Sequence, residues 1–488
     1  MPVAGSIRRA ALWVLLLGPA GCSFAPPYER PALPVPAHYG APQDPGARPE
    51  GRSIAETDWQ HFFPDTVLKG LIATALANNR DIRIASARVA EARGAWRIEG
   101  APLYPQLDAI GTGTRSRTLS PLPGTGGQYY DVKQVTAQLS ASWEIDFWGR
   151  LRNLRNAARD QYLASEESRR AVAVQLIAQV ANGYLLEREY EERVALARQS
   201  VTTREETLRI MRRRFEVGSG SRLDREQAQV LLAQAQTTMQ GLEQDRAVNR
   251  NALELLVGNP VDIPPGRLSL TQEGPAFTLP VGLPSDLLVN RPDIAAAEHQ
   301  LRAANANIGA ARAAFFPNIS LTGAYGTSST ELDALFSGGS HVWSFSPTIA
   351  LPLFNAGRLK GNLDVAKARR DGAVAQYEQT IQSAFRDVSD ALVRREQLGK
   401  QVESMRVLLA AQKERARLAQ LRFDYGRSTY LEVLDAQRDL FEAEQTLVQL
   451  RRAELASIIA LYSALGGGLT AAQGWGPAVQ QASEGQTG

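Results

Sequence analysis

From about Thr66 the chain runs in long, Ala-rich stretches whose apolar residues return every three or four positions, the spacing of helices with one buried stripe. Val194, Ala197, Val201, Arg204, Leu208, Met211 and Phe215 step alternately by three and four. Moving each by 208 positions (423 minus 215) gives Val402, Met405, Leu409, Gln412, Ala416, Ala419 and Phe423, a second seam with its polar interruption at the same point. A heptad seam predicts helices packed as coiled coils. A seam written twice predicts two similar helical hairpins. No proline interrupts Trp148 to Phe215 or Asn355 to Phe423, so each helix could reach on the order of 100 Å, with Gly183, Gly361 and Gly372 as places to bend.

Between the helices of each copy the period changes to two. Val135, Ala137, Leu139, Ala141, Trp143, Ile145 and Phe147 share one face of a strand, and Thr136, Gln138, Ser140, Ser142, Glu144 and Asp146 share the other. The second copy offers Trp343 to Phe354, and each strand follows another candidate, Leu107 to Arg115 and Ile319 to Tyr325. Gly/Ser/Pro-rich loops join the members, predicting two hairpins and four strands. Pro347 and Pro352 count against a central strand of a soluble sheet.

Strands with one apolar and one polar face fit a membrane barrel with lipid outside and water inside. Four strands do not close, because bacterial barrels begin at about eight. A cyclic trimer supplies twelve, and the same symmetry arrays twelve helices in a ring. The expected fold is mainly α with a β-barrel part, a trimer whose 12-stranded transmembrane barrel continues into a 12-helix α-barrel.

Composition narrows the alternatives. With 54 basic and 51 acidic residues the net charge is +3, which gives no reason to expect nucleic acid as partner. The single cysteine, Cys22, and four scattered histidines argue against a disulfide framework and a metal site. No phosphate loop, nucleophile elbow or His/acid cluster appears, so the chain reads as no enzyme and needs no cofactor. Arg8 and Arg9 precede an apolar run that ends in PAGC, a secretory signal that resembles a bacterial lipoprotein signal with Pro19 as a departure. Cleavage would leave diacylglycerol and an N-acyl chain on Cys22, and Ser23 directs such proteins to the outer membrane.

The organisation expected is a signal peptide over 1–21, a lipidated Pro-rich tether over 22–58, and a first repeat over 59–260 with its β-hairpin at about 105–147. A linker over 261–282, a second repeat over 283–468 with its hairpin at about 317–354, and a flexible tail over 469–488 follow.

One further echo joins VGSGSRLDREQAQ, Val217 to Gln229, with YGRSTYLEVLDAQ, Tyr425 to Gln437. With PAGCSFAPPYERP, DWQHFFPDTVLKGLIATAL and LPSDLLVNRPDIAAAEHQLRAANANIGAARAAFFPNISL, these stretches resemble the TolC-type outer-membrane efflux proteins, specifically the lipid-modified NodT/OprM-like branch. That resemblance implies a homotrimer in outer-membrane lipid with an equatorial domain and a large periplasmic part. It also implies a periplasmic membrane-fusion adaptor and an inner-membrane RND-type pump as partners, and a passive conduit for drugs or other small toxic compounds. A channel for type I protein secretion shares the fold and gate; a lipid-anchored coiled-coil envelope protein would explain the helices but not the strands.

By the same resemblance the two turns lie at the periplasmic entrance and dock the adaptor through Val217, Gly218, Ser219, Gly426, Ser428 and Thr429. Glu432 and Asp435 match two acidic constriction positions one helical turn apart, and Asp224 matches Glu432 in the first copy, whereas Gln227 replaces Asp435. Three copies would form an acidic ring that favours cations and raises carboxylate pKa values by mutual repulsion. Tyr425 and Arg427 are candidates for locking the closed coil, although Arg427 stands one place before the family's gate arginine.

Overall fold

The computed structural model describes residues 24–36, 57–119, 129–266, 270 and 290–468. Cys22 and the ranges 1–21, 271–282 and 469–488 lie outside the described residues. In chain order the elements are α1 (Trp59–Phe62), α2 (Thr66–Asn78), α3 (Arg80–Gly100), β1 (Gln106–Leu119), β2 (Tyr129–Ile145), α4 (Arg150–Glu216) and α5 (Arg222–Val257). Then follow α6 (Pro292–Ala313), β3 (Asn318–Ser329), β4 (His341–Ala350), α7 (Arg358–Asp424) and α8 (Tyr430–Ala464). The described residues fall into two compact units, the first from within Met1–Ala32, Arg88–Ser165 and Ala296–Tyr377, the second from within Leu33–Ala87, Glu166–Ala295 and Glu378–Gly488.

Helices α4 and α7 are each 67 residues long, about 100 Å at 1.5 Å per residue. Their start and stop signals recur at the same 208-residue offset (357 minus 149). Gly149 and Gly357, both left-handed, turn the chain into the helices. Asp146 caps α4 by accepting from the amides of Leu151 at 3.0 Å and Arg152 at 2.8 Å, and Asn355 caps α7 through the Leu359 amide at 3.2 Å. Both helices run unbroken through the glycines where a bend was expected, and Gly183 has a packing reason: a Cβ there would sit 2.6 Å from Leu253.

In the first unit β1-β2-β3-β4 form one antiparallel sheet in sequence order. The two expected hairpins are fused through β2 and β3, from Val135 opposite Ser329 to Ile145 opposite Ile319. Register then sorts the faces. Ala109, Leu139, Tyr325 and Trp343 form one row across the sheet, and Leu107, Ala141, Gly323 and Phe345 the next on the same face. Leu107, Leu139, Tyr325, Phe345 and Ile349 are exposed there, and Trp343 is 77% exposed. The opposite face carries rows such as Gln106, Ser142, Thr322 and Ser346. Strand β4 ends at Ala350, four residues before the expected Phe354, because Pro352 has no amide hydrogen to extend the ladder. Pro347 stands opposite Leu321 in β4, the last strand of the sheet in this chain.

Residues 24–30 lie extended along α6, also in the first unit. Phe24 stacks on Phe316 at 4.5 Å, and its carbonyl accepts from Arg312 at 3.1 Å. Asn305 donates to the Pro26 carbonyl at 2.8 Å. Buried Glu298 closes the clamp, accepting from Tyr28 at 3.1 Å, Arg30 at 2.8 Å and Arg302 at 2.6 Å. Burial pushes the Glu298 carboxyl up, but the hydrogen bonds and charges of Arg30 and Arg302 outweigh it and hold it below the usual carboxylate range.

The second unit has an apolar core that includes Ile72, Ile177, Leu253 and Leu461, with buried ion pairs and aromatic stacking set into it. Glu187, fully buried, accepts from Arg246 at 2.7 Å and Arg250 at 2.8 Å. Phe62 stacks on Tyr462 at 4.0 Å, and Asn79 caps α3 while donating to the Leu256 carbonyl at 2.9 Å.

Because the folded pKa of Glu298 is depressed, its contribution to holding residues 24–30 is complete above the unfolded carboxylate value of about 4.3 and fades as pH falls through its own lower value. A spin label at exposed Glu29 should be immobile at pH 7 and gain mobility below about pH 4. Glu298→Gln should mobilise it at every pH, and a label that stays immobile in both conditions would contradict the clamp.

Candidate functional site

The two turns singled out in the sequence have the same geometry, bond for bond. After α4, Gly218 takes φ 77° and donates to the Phe215 carbonyl at 3.0 Å, while the Ser219 amide reaches Arg214 at 2.9 Å. After α7, Gly426 takes φ 69° and donates to Phe423 at 2.9 Å, while the Arg427 amide reaches Arg422 at 2.8 Å. This is the Schellman closure, in which a left-handed residue satisfies the last helical carbonyls. Only glycine adopts that backbone without a Cβ penalty, which explains why both copies write it. Ser221 then caps α5 through the Leu223 amide at 3.0 Å, and Thr429 occupies the equivalent N-cap of α8.

Beneath the turns the two hairpins share one apolar cluster of Leu208, Met211, Ala228, Leu232, Ala419, Tyr430, Val433, Leu434 and Ala436, flanked by Val201, Ala416 and Phe423. The predicted seam residues therefore meet across copies as well as within one. Arg214 lies 5.0 Å over the Phe423 ring and joins the first turn to the second.

Glu432 and Asp435 stand on the side of α8 away from this cluster, each half-exposed. Neither is without a counter-charge. Arg422, in the last turn of α7, donates to Glu432 at 2.7 Å across the turn. Arg438 lies 3.2 Å from Asp435 and also pairs with Asp439, which Arg415 reaches at 2.6 Å. The hydrogen bond from Arg415 holds the Asp439 carboxyl below its ordinary value. Asp224 sits in the first turn of α5, as Glu432 does in α8, where the helix dipole favours acid. Tyr425 is 77% exposed, and Arg427 has no ion-pair partner among the described residues. Val217, Gly218, Ser219, Gly426 and Thr429 are exposed, and Ser428 is partly buried.

Sequence reasoning missed one group here. Arg204, noted as a polar interruption of the seam, is 8% exposed and donates to the Leu231 carbonyl at 2.8 Å, with the Phe441 ring 5.8 Å away. No carboxylate pairs with it among the described residues. Burial pulls its pKa down, the mark of a cation held in an apolar place. Among the described residues no group of His, Cys, Asp and Glu could hold a metal, and no described helix is long and apolar enough to cross a membrane.

A sheet that is apolar and exposed on one face, polar on the other and, among the described residues, open at both edges, in a chain that also carries paired coiled-coil hairpins, defines an outer-membrane channel fold. Comparison with known proteins agrees. The outer membrane efflux protein family matches residues 71–259 and 283–467, and the chain belongs to it. It is 44% identical over 465 residues to the solvent efflux pump outer membrane protein SrpC of Pseudomonas putida, covering 94% of this chain and 98% of that one. It is 40% identical over 448 residues to the cation efflux system protein CusC of Escherichia coli K12, covering 92% of this chain and 96% of that one. The open-state MtrE outer membrane channel of Neisseria gonorrhoeae superposes with a TM-score of 0.82 at 38% identity, covering 92% of this chain and 99% of that one.

Replacing the buried Arg204 by an apolar residue of similar reach removes a desolvation cost that no carboxylate offsets. Arg204→Met should leave the hairpin ends as stable or raise their stability by on the order of 1 kcal/mol, read as slower hydrogen exchange at Leu208–Met211 and Val433–Ala436. Faster exchange there would show that the guanidinium holds the cluster together.

Proposed function

We propose that three copies close their open sheets into one twelve-stranded barrel in the bacterial outer membrane, continued by twelve periplasmic helices, and that this trimer is the passive exit duct of a tripartite efflux system. The observation that carries the reading is the sheet: its exposed apolar face suits lipid, its opposite face suits a water-filled lumen, and its unpaired edges on β1 and β4 demand partners. On this reading Cys22 carries the lipid anchor and residues 22–58 the tether, the repeats 59–260 and 283–468 each supply one hairpin of helices and one of strands, and 261–282 links them. An inner-membrane RND-type pump selects the substrate and a periplasmic adaptor docks at the two turns, through Val217, Gly218 and Ser219 and through Gly426, Ser428 and Thr429. Relatives named for solvent efflux and for cation efflux support small toxic compounds as cargo and a duct that does not itself choose among them.

The entrance is gated where Asp224, Glu432 and Asp435 from three copies converge, with Tyr425 and Arg427 free to bond a neighbouring helix. Arg422 and Arg438 modify the expectation of a purely acidic ring. They offset part of the repulsion between carboxylates, so the closed entrance is a mixed ring of acid and arginine.

Glu432→Ala with Asp435→Ala should raise single-channel conductance in planar bilayers and weaken block by multivalent cations, by roughly tenfold or more in blocking concentration if the carboxylates are the site. Conductance and block both unchanged would rule out this assignment of the gate.

A further inference from the structure

Charge on the sheet is segregated by height. Over the stretch from Val135 to Ile145, the apolar face of β1 and β2 carries no charged residue, and Asp108 and Glu144 both lie on the polar face. Beyond Val135 the pattern inverts. Lys133 stands directly opposite Arg115 and Asp131 opposite Arg117, all on the continuation of the apolar face, while Thr114, Gln134, Ser116 and Val132 occupy the other. Pairing between β2 and β3 begins only at Val135, so these residues project on a two-stranded ledge past the rest of the sheet.

We propose that Arg115, Arg117 and Lys133 form a docking site for the phosphate of outer-leaflet lipid headgroups that carry a net negative charge. The inference rests on the barrel reading, which fixes the apolar face as outward and the end far from the helices as extracellular. Its first support is dimension. Val135 to Ile145 is ten steps (145 minus 135), about 34 Å along a strand and about 25 Å along the normal at the usual tilt, the height of an apolar band in such barrels. Lys133 is the next outward-facing residue on its strand, at the level where acyl chains give way to headgroups.

Charge complementarity is the second support. Like charges directly opposite on a ladder repel, yet Arg115 and Lys133 are so placed. Asp131, the one acid among the described residues of this ledge, lies 3.2 Å from Arg115, and no ion pair to Arg117 or Lys133 is present among the described residues. Arg117 covers the Tyr129 ring at 5.6 Å, and the Arg115 side chain is 70% exposed. Two planar guanidinium groups beside an ammonium suit phosphate oxygens, which accept paired hydrogen bonds from arginine.

The test uses the full-length trimer in a neutral detergent, titrated with phosphatidylglycerol, phosphatidylcholine or inorganic phosphate while its dissociation temperature is measured. Phosphatidylglycerol should raise that temperature by several degrees, with neither of the others doing so. The combined change Arg115→Gln, Arg117→Gln and Lys133→Gln should abolish the shift, and Asp131→Asn, which adds one net positive charge, should enlarge it. An equal shift in the triple variant, the same shift from inorganic phosphate, no shift in the unaltered trimer, or a smaller shift in Asp131→Asn would each overturn the proposal. Conductance of the same preparations separates the two readings: a trimer that conducts without responding to anionic lipid sinks the headgroup site alone, and one that never conducts sinks the duct.

Discussion

Lipid offers no hydrogen bonds, and that constraint organises everything else in this chain. An exposed sheet with apolar residues such as Trp343 and Phe345 on one face belongs against hydrocarbon, but its unpaired edges on β1 and β4 do not. Each unsatisfied backbone group costs several kcal/mol in that medium, and an open edge carries a row of them. The sheet therefore cannot be finished within one chain. Duplication supplies two strand pairs, the fusion of β2 to β3 makes them one third of a twelve-stranded wall, and symmetry has to supply the rest.

The same duplication explains the helix ends. Closing a 67-residue helix and reversing the chain calls for a left-handed residue, and both copies meet that need with Gly218 and Gly426 in identical bonding. Where the backbone has one solution, the copies agree. Where side chains face outward, they part: Asp224 and Gln227 in one, Glu432 and Asp435 in the other, with Arg422 and Arg438 drawn to the acids of the second. Likeness marks the scaffold, and the divergent surface is the one that the proposed gate reading turns toward the threefold axis.

Much of this architecture is legible in the sequence. The seam from Val194 to Phe215 and its copy predicted the rods, because a heptad repeat over that length has few other readings. Alternation predicted the strands but misjudged their ends. Leu351 to Phe354 continue the apolar rhythm after Pro352 has ended the ladder, whereas Ser116 to Leu119 and Tyr129 to Gln134 extend the ladder beyond the expected Arg115 and Val135 without the strict apolar alternation. The counter-charges of Glu432 and Glu187 were hidden for a different reason. Arg422 reaches Glu432 only because the turn folds one helix back on another, and Arg246 and Arg250 reach Glu187 from 59 and 63 residues away. Patterns of period two and three and a half are local properties of a chain; ion pairs across a fold are not. The burial of Arg204 belongs with these, since a break in an apolar seam does not say which way the side chain turns.

The central claim is that one chain cannot form the wall by itself. The mass of the conducting particle, measured by native mass spectrometry after release from detergent and matched to conductance of the same fraction in planar bilayers, tests it most directly. Conductance confined to a species of three copies is the result this account predicts; a monomer that conducts and stays intact in lipid would contradict it.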